Sequence, residues 1–288
     1  MNGERGARPK APNKGSTFRN SGIEYYRILI LITILLVSCA TSPTGRRQLI
    51  IVKEDSAIAA SKQAYTEMIK PYAQQGKIDN DPALKDRVYR ITGRLIAQAK
   101  KMRPETKDWA WSIKIIDDPK TVNAWAMAGG KMALYTGLVE KLNATDDELA
   151  QVLGHEIAHA LAKHSAEKMS VAMASSIGVA AVGVVADSKG LAMTGAALAA
   201  SLAVQMPNSR AAESEADQIG IELAAKAGYD PRAAITLWQK MAKAGGKGPP
   251  EFLSTHPAPE NREKKLEALI PSMMPYYERK GARPFYKL

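Results

Sequence analysis

The chain has 288 residues, 45% of them apolar and 24% charged, a globular balance that excludes a disordered or low-complexity chain. Its net charge of +11 is scattered, with no basic block interleaved with aromatics; this argues against a nucleic-acid partner and suits an anionic membrane surface better. Cys39 is the single cysteine, so an intrachain disulfide is excluded.

The first 38 residues hold six of the basic residues, from Arg5 to Arg27, ahead of an apolar run at 28–37. That run has the length of a signal-peptide core and is too short for an ordinary membrane span. Leu36, Val37 and Ser38 then lead into Cys39, which resembles a bacterial lipobox. Residues 1–38 are expected to be a cleaved signal peptide, with lipid added to the Cys39 thiol. An ordinary signal peptide and an uncleaved anchor are the alternatives. Ala40 in place of an aspartate resembles the outer-membrane sorting signal. Residues 39–54 are expected to be a lipidated N-terminus and polar tether, with a short strand at 48–52.

A helix is expected from 55 to about 74, where Ile58, Tyr65, Met68, Ile69 and Tyr72 recur at spacings of three and four. Pro82 opens a second helix to about 101, with Leu84, Val88, Ile91 and Leu95 on one face. The alternation of Trp109, Trp111, Ile113 and Ile115 predicts a strand over 109–116. Strands at 122–127 and 131–135 flank Gly129-Gly130 as a hairpin, and a short helix follows at 136–142. Residues 123–126 are the candidate edge for pairing an extended peptide; ordinary core strands are the alternative. The Ala/Gly/Val-rich stretch at 171–203 predicts a tight helical hairpin split at 187–190, or else a hydrophobic lid or a membrane-dipping element. Further helices are expected to 227, capped by Gly228, from 231 to about 244, and from about 259 to 269. A glycine-rich loop is expected at 245–250 and an aperiodic tail at 271–288. The whole reads as a mostly helical α+β protein with its main domain at 55–270.

The chemistry concentrates in His155-Glu156-Ile157-Ala158-His159. Each helical residue turns about 100°, so His155 and His159 share a face one turn apart and can bind one Zn²⁺ between them. Glu156 stands beside the metal, where a general base acts on the water that zinc activates. Thr145 and Glu148 form a capping-box pattern that starts the helix at 146. A catalytic zinc takes three protein ligands. On a continuous helix His164 lies about 180° from His155 and faces away. Glu213 is the better third candidate, with Asp217 four residues on, positioned to accept the other ring N–H of a ligand histidine. Glu215 points away from that face and is expected to be solvated.

His155-Glu156-x-x-His159, Arg210-x-x-Glu213-x-x-x-Asp217 and Ser254-Thr255-His256-Pro257 with Asn261-Arg262 together resemble the HtpX and CAAX prenyl-protease family of gluzincin zinc metallopeptidases. The periplasmic lipoprotein members of the LoiP and BepA type are the nearest in pattern, without the BepA helical-repeat domain. The resemblance implies a zincin-like fold, one Zn²⁺ per chain on His155, His159 and Glu213, Glu156 as base, and Asp217 behind a ligand histidine. It implies for His256 a fourth zinc position that would hold the enzyme latent; a packed or substrate-contacting loop histidine is the alternative. Arg210, Arg262 and His256 are the candidates for oxyanion or substrate contact. The expected function is a metalloendopeptidase of the bacterial cell envelope, on the periplasmic face of the outer membrane. It would act on unfolded or misassembled envelope proteins in quality control. A chaperone-like assembly factor that binds clients and seldom cuts is the alternative.

Overall fold

Asp81 opens a helix because its Oδ1 accepts the N–H of Ala83 at 2.8 Å and of Leu84 at 3.1 Å, with Pro82 pre-set for the first turn. A computed structural model describes the protein over residues 39–181, 195–244 and 250–288. The expected signal peptide, the split at 187–190 and the glycine-rich loop (all but Pro250) lie outside the described residues. Helices are α1 (Glu54–Gln74), α2 (Pro82–Met102), α3 (Thr136–Leu142), α4 (Asp146–Leu161), α5 (His164–Ala181), α6 (Gly195–Val204), α7 (Arg210–Ala227), α8 (Ala233–Ala244), α9 (Glu251–Thr255) and α10 (Arg262–Tyr277). Strands are β1 (Cys39–Thr41), β2 (Arg47–Leu49), β3 (Ser112–Ile116), β4 (Ala124–Met127) and β5 (Lys131–Tyr135). No helix among the described residues is long and apolar enough to cross a membrane.

Strands β1 and β2 form a small ribbon, and the other three form a sheet of order β3-β5-β4. Gly129 and Gly130, with φ of +80° and +75°, turn β4 back antiparallel onto β5. β3 runs parallel to β5, with Ile113 opposite Met132 and Ile115 opposite Leu134. Of the expected edge residues at 123–126, 124–126 lie on β4, one of the two edge strands of this sheet, and Asn123 precedes it. Helix α4 starts at a complete capping box: Thr145 Oγ1 accepts the Glu148 N–H at 3.2 Å, and a Glu148 carboxylate oxygen accepts the Thr145 N–H at 2.9 Å. From Glu148 to Leu161 it is buried on every side, packed among α2, α7, α8 and β4. Residues 40–288 form one compact unit.

Two differences from the sequence expectation have simple causes. Residues 109–111 are not strand; Pro104–Asp108 forms a 3₁₀ turn whose Thr106 carbonyl accepts the Trp111 indole N–H at 3.1 Å. The last helix begins at Arg262 and continues through Pro271 and Pro275 to Tyr277. Both prolines are on its exposed side, where water can meet the carbonyls that lose their N–H partners.

Candidate metal centre

Helix α4 brings His155 and His159 together with Nε2 atoms 3.1 Å apart. Helix α7 adds Glu213, whose Oε2 lies 3.3 Å from His155 Nε2 and whose Oε1 lies 3.2 Å from His159 Nε2. The loop after α9 adds His256, with Nδ1 3.3 Å from His155 Nε2 and 3.1 Å from Glu213 Oε1. All four are buried. A tetrahedral Zn²⁺ with ligands at about 2.0–2.1 Å separates them by about 3.3–3.4 Å, close to the five separations just given, and one donor atom from each residue lies within 4.8 Å of all the others. Ring nitrogens aimed at one another across such distances present converging lone pairs, an arrangement that a cation satisfies and a proton shared pairwise does not. The four residues therefore fit a zinc ion.

The close approach of the two ligand-bearing helices depends on a glycine pair. A Cβ on Gly154 would stand 2.8 Å from the Gly220 carbonyl oxygen, and one on Gly220 2.8 Å from His155 N. With hydrogens only, α7 lies against α4 at the turn that carries His155.

Behind His155, Asp217 Oδ1 stands 3.0 Å from Nδ1, an ion-pair contact; Nδ1 makes no other contact of this kind among the described residues. Arg262 grips the same carboxylate, Nε and Nη2 each at 2.8 Å, and reaches Glu213 Oε2 at 3.1 Å. Its guanidinium lies 3.4 Å from the centre of the Trp238 ring. Burial alone would raise the Asp217 carboxyl, but His155 and Arg262 outweigh it and hold it below the usual range. Glu213 is likewise held well below despite burial, by the His256 and His155 charges. Burial pushes His159 well below its ordinary value, toward the neutral form that ligates.

Glu156 faces the cluster from the sheet side. Its Oε2 accepts the Ala126 N–H of β4 at 3.0 Å. Its Oε1 is buried without a hydrogen-bond partner and lies 3.5 Å from His256 Nε2. Burial raises the carboxyl, which favours proton uptake. Beside it a cavity of about 20 Å³, lined by Ala126, Glu156, His159, Lys168, Asn208 and His256 among others, is roughly water-sized.

Three sequence expectations are corrected here. Arg210 does not reach the cluster; it is exposed and pairs with Glu260 at 3.5 Å. Arg262 is at the centre but behind it, committed to Asp217 and Glu213, so it is not placed to contact an oxyanion. His164 and Glu215 are neither turned away nor solvated: both are buried. The helix breaks at Ala162, and Lys163 adopts φ +58°, so the angular count past Leu161 no longer holds. His164 Nδ1 then comes within 2.7 Å of His159 Nδ1.

Asn208 was not anticipated. Its Nδ2 donates to Glu213 Oε1 at 2.8 Å and lies 3.3 Å from His256 Nδ1. Its backbone N–H donates to the Thr255 carbonyl at 2.9 Å, tying the start of α7 to the His256 loop. Lys168 holds the amide from behind, donating to Oδ1 at 3.0 Å; burial pushes this ammonium down to about 8. The only sequence signal was an asparagine next to the Ser209 cap.

A mostly helical fold, with a small sheet beside a His-Glu-x-x-His helix and a candidate His/His/Glu metal site, is that of a zincin-like metallopeptidase. The sequence profile of Peptidase family M48 matches residues 82–270, and the chain belongs to that family. It is 30% identical over 286 residues to bovine "Metalloendopeptidase OMA1, mitochondrial", covering 91% of this chain and 54% of that protein. It is 32% identical over 259 residues to the Schizosaccharomyces pombe "Mitochondrial metalloendopeptidase OMA1", covering 89% and 71%. With the Escherichia coli "Beta-barrel assembly-enhancing protease" it shares 28% over 192 residues, 64% of this chain and 38% of that one. The chain thus spans about half the length of the bovine relative.

Proposed function

We propose that this protein is a zinc-dependent metalloendopeptidase of the bacterial cell envelope, in which His155, His159 and Glu213 hold the metal and Glu156 is the general base. The observation that carries the reading is the Oε1 of Glu156, buried without a hydrogen bond among the described residues, beside four metal-competent donors within 4.8 Å of one another. When bound, zinc would supply polarisation of the scissile carbonyl and acidification of a water. Glu156 Oε1 would take a proton from the attacking water and pass it to the leaving amine. Asp217 holds His155 through Nδ1, and Arg262 neutralises the paired carboxylates behind the site. In this reading edge strand β4 is the stretch that would pair with an extended substrate backbone.

In this reading His256 keeps the centre latent. It would be the fourth residue to hold the metal, its ring stacks on Phe252 at 4.2 Å between ring centres, and the small cavity leaves no space for a peptide. Removal of the imidazole, as in His256→Ala, is expected to raise cleavage of a disordered protein substrate, while unchanged or lower activity would count against latency. Zinc per chain and proteolysis test the main reading. The full chain should hold about one zinc, and Glu156→Gln should keep it and lose cleavage. Retained cleavage would remove Glu156 from its role. The same closed centre also suits the chaperone-like alternative, which client capture unaffected by Glu156→Gln would favour.

The envelope setting rests on the lipobox resemblance around Cys39 and on likeness to a β-barrel assembly-enhancing protease. Unfolded or misassembled envelope proteins are the proposed substrates. Incorporation of labelled fatty acid that disappears in Cys39→Ser is the expected result; equal labelling of the variant would refute lipid attachment at this thiol.

A further inference from the structure

The residues on the far side of His159 run outward to the N-terminal segment in one unbroken line of hydrogen bonds. His159 turns Nε2 to the ligand cluster, so its proton sits on Nδ1. That atom faces His164 Nδ1 at 2.7 Å. His164 must therefore accept at Nδ1 and carry its own proton on Nε2, which lies 3.1 Å from Glu215 Oε2. Glu215 is closed from the other side by the Thr44 hydroxyl at 2.6 Å and by Arg46 Nε at 2.7 Å. Arg46 turns its Nη1 to Glu167 at 2.7 Å. Gln48 completes the line, its amide donating to Glu167 at 2.9 Å and to the Ala162 carbonyl, just past the end of α4, at 2.7 Å.

We propose that the segment from Thr44 to Gln48 is a working part of the metal centre: Thr44 and Arg46, acting through Glu215 and His164, fix the tautomer and ring angle of His159. The inference rests on the zinc reading above. A histidine behind a ligand histidine is an ambiguous support, because neutral imidazole can carry its proton on either nitrogen. With the proton on His164 Nδ1, two N–H groups would oppose each other across 2.7 Å. A carboxylate accepts only, so Glu215 selects the Nε2–H form and removes that conflict. A buried carboxylate in turn needs its own donors, and Thr44 and Arg46 are those donors. The device is the imidazole–carboxylate support of a metal ligand, lengthened by one histidine and closed by a segment more than 100 positions upstream.

Thr44 and Arg46 touch neither substrate nor metal; they are positioning residues. The test is competition for zinc by a chelator on the full chain, in the parent, Arg46→Ala, Glu215→Gln and Thr44→Val. Arg87→Ala is the control, since it breaks the ion pair with Asp146 at the opposite end of α4. Zinc affinity should fall about 10- to 100-fold in Arg46→Ala and Glu215→Gln, by a smaller factor in Thr44→Val, and not in Arg87→Ala. The Co²⁺-loaded Glu215→Gln protein should also show a shifted d–d spectrum at full occupancy. Affinities within twofold of the parent would overturn the proposal while leaving the centre itself intact. An equal loss in Arg87→Ala would reduce it to general destabilisation. A parent that binds no zinc would overturn the metallopeptidase reading and this inference with it.

Discussion

His155 and His159 stand one turn apart on the same helix and are supported in opposite styles. Behind His155 is a carboxylate four residues along α7 from Glu213, gripped by Arg262. The support is short, direct and made by the helices that also form the core. Behind His159 is a second histidine, then a carboxylate, then an arginine and a threonine from the N-terminal segment. The difference teaches that a ligand is held where the chain happens to have a buried acceptor, near or far. The longer the route, the more residues must agree on where the protons lie.

Glu213→Ala removes the ligand that both sides share, and the largest effect is expected there: zinc per chain should drop from about one to near zero. A variant that keeps its zinc would mean that two histidines and His256 suffice, and the comparison would lose its centre. Next in size is Asp217→Asn, which weakens only the His155 side; zinc affinity should fall about 10- to 100-fold. If it falls no further than in Thr44→Val, the direct support is no stronger than the long one. Gly220→Ala places a methyl against His155 N and should cost about 1–3 kcal/mol through overpacking, read as a lower melting temperature of the chelator-treated protein. An unchanged melting temperature would show that the helices can part without cost. The smallest effect concerns acid. Burial would raise the Glu215 carboxyl, but His164, Thr44 and Arg46 hold it well below its usual range. Its contribution is thus complete above the unfolded-state value of about 4.3 and fades as pH falls toward the depressed native one. The stability gap between parent and Glu215→Gln should accordingly narrow as the pH is lowered from 6 through 4, and a gap that widens would contradict this.

The His155 side, Arg262 apart, was legible in the sequence because helical spacing carries it: His155 to His159 and Glu213 to Asp217 are both four residues apart on unbroken helices. The hairpin around Gly129-Gly130 and the capping box at Thr145 were legible for the same reason, each being a local pattern. The His159 side was not. A left-handed residue at Lys163 re-aims His164, and lysine gives no warning of that conformation. Arg46 read as part of a polar tether because nothing within a few residues of it is acidic; its partners, Glu167 and Glu215, are more than 100 positions away. Arg262 was expected at an oxyanion or substrate and instead pairs with Asp217 and Glu213; a motif does not say which side of a metal an arginine occupies.

The burial of Gln48 and Ser42 bears on how this enzyme is prepared at the bench. The family match begins at residue 82, and the helical core at Glu54, so either would look like a sensible first codon for expression. A product starting at either place keeps every metal ligand and the base, and loses Thr44, Arg46 and Gln48. On the proposal that this segment supports His159, such a product would lose zinc during purification, and its poor activity would be blamed on a wrong substrate when the fault lay in the cloning boundary.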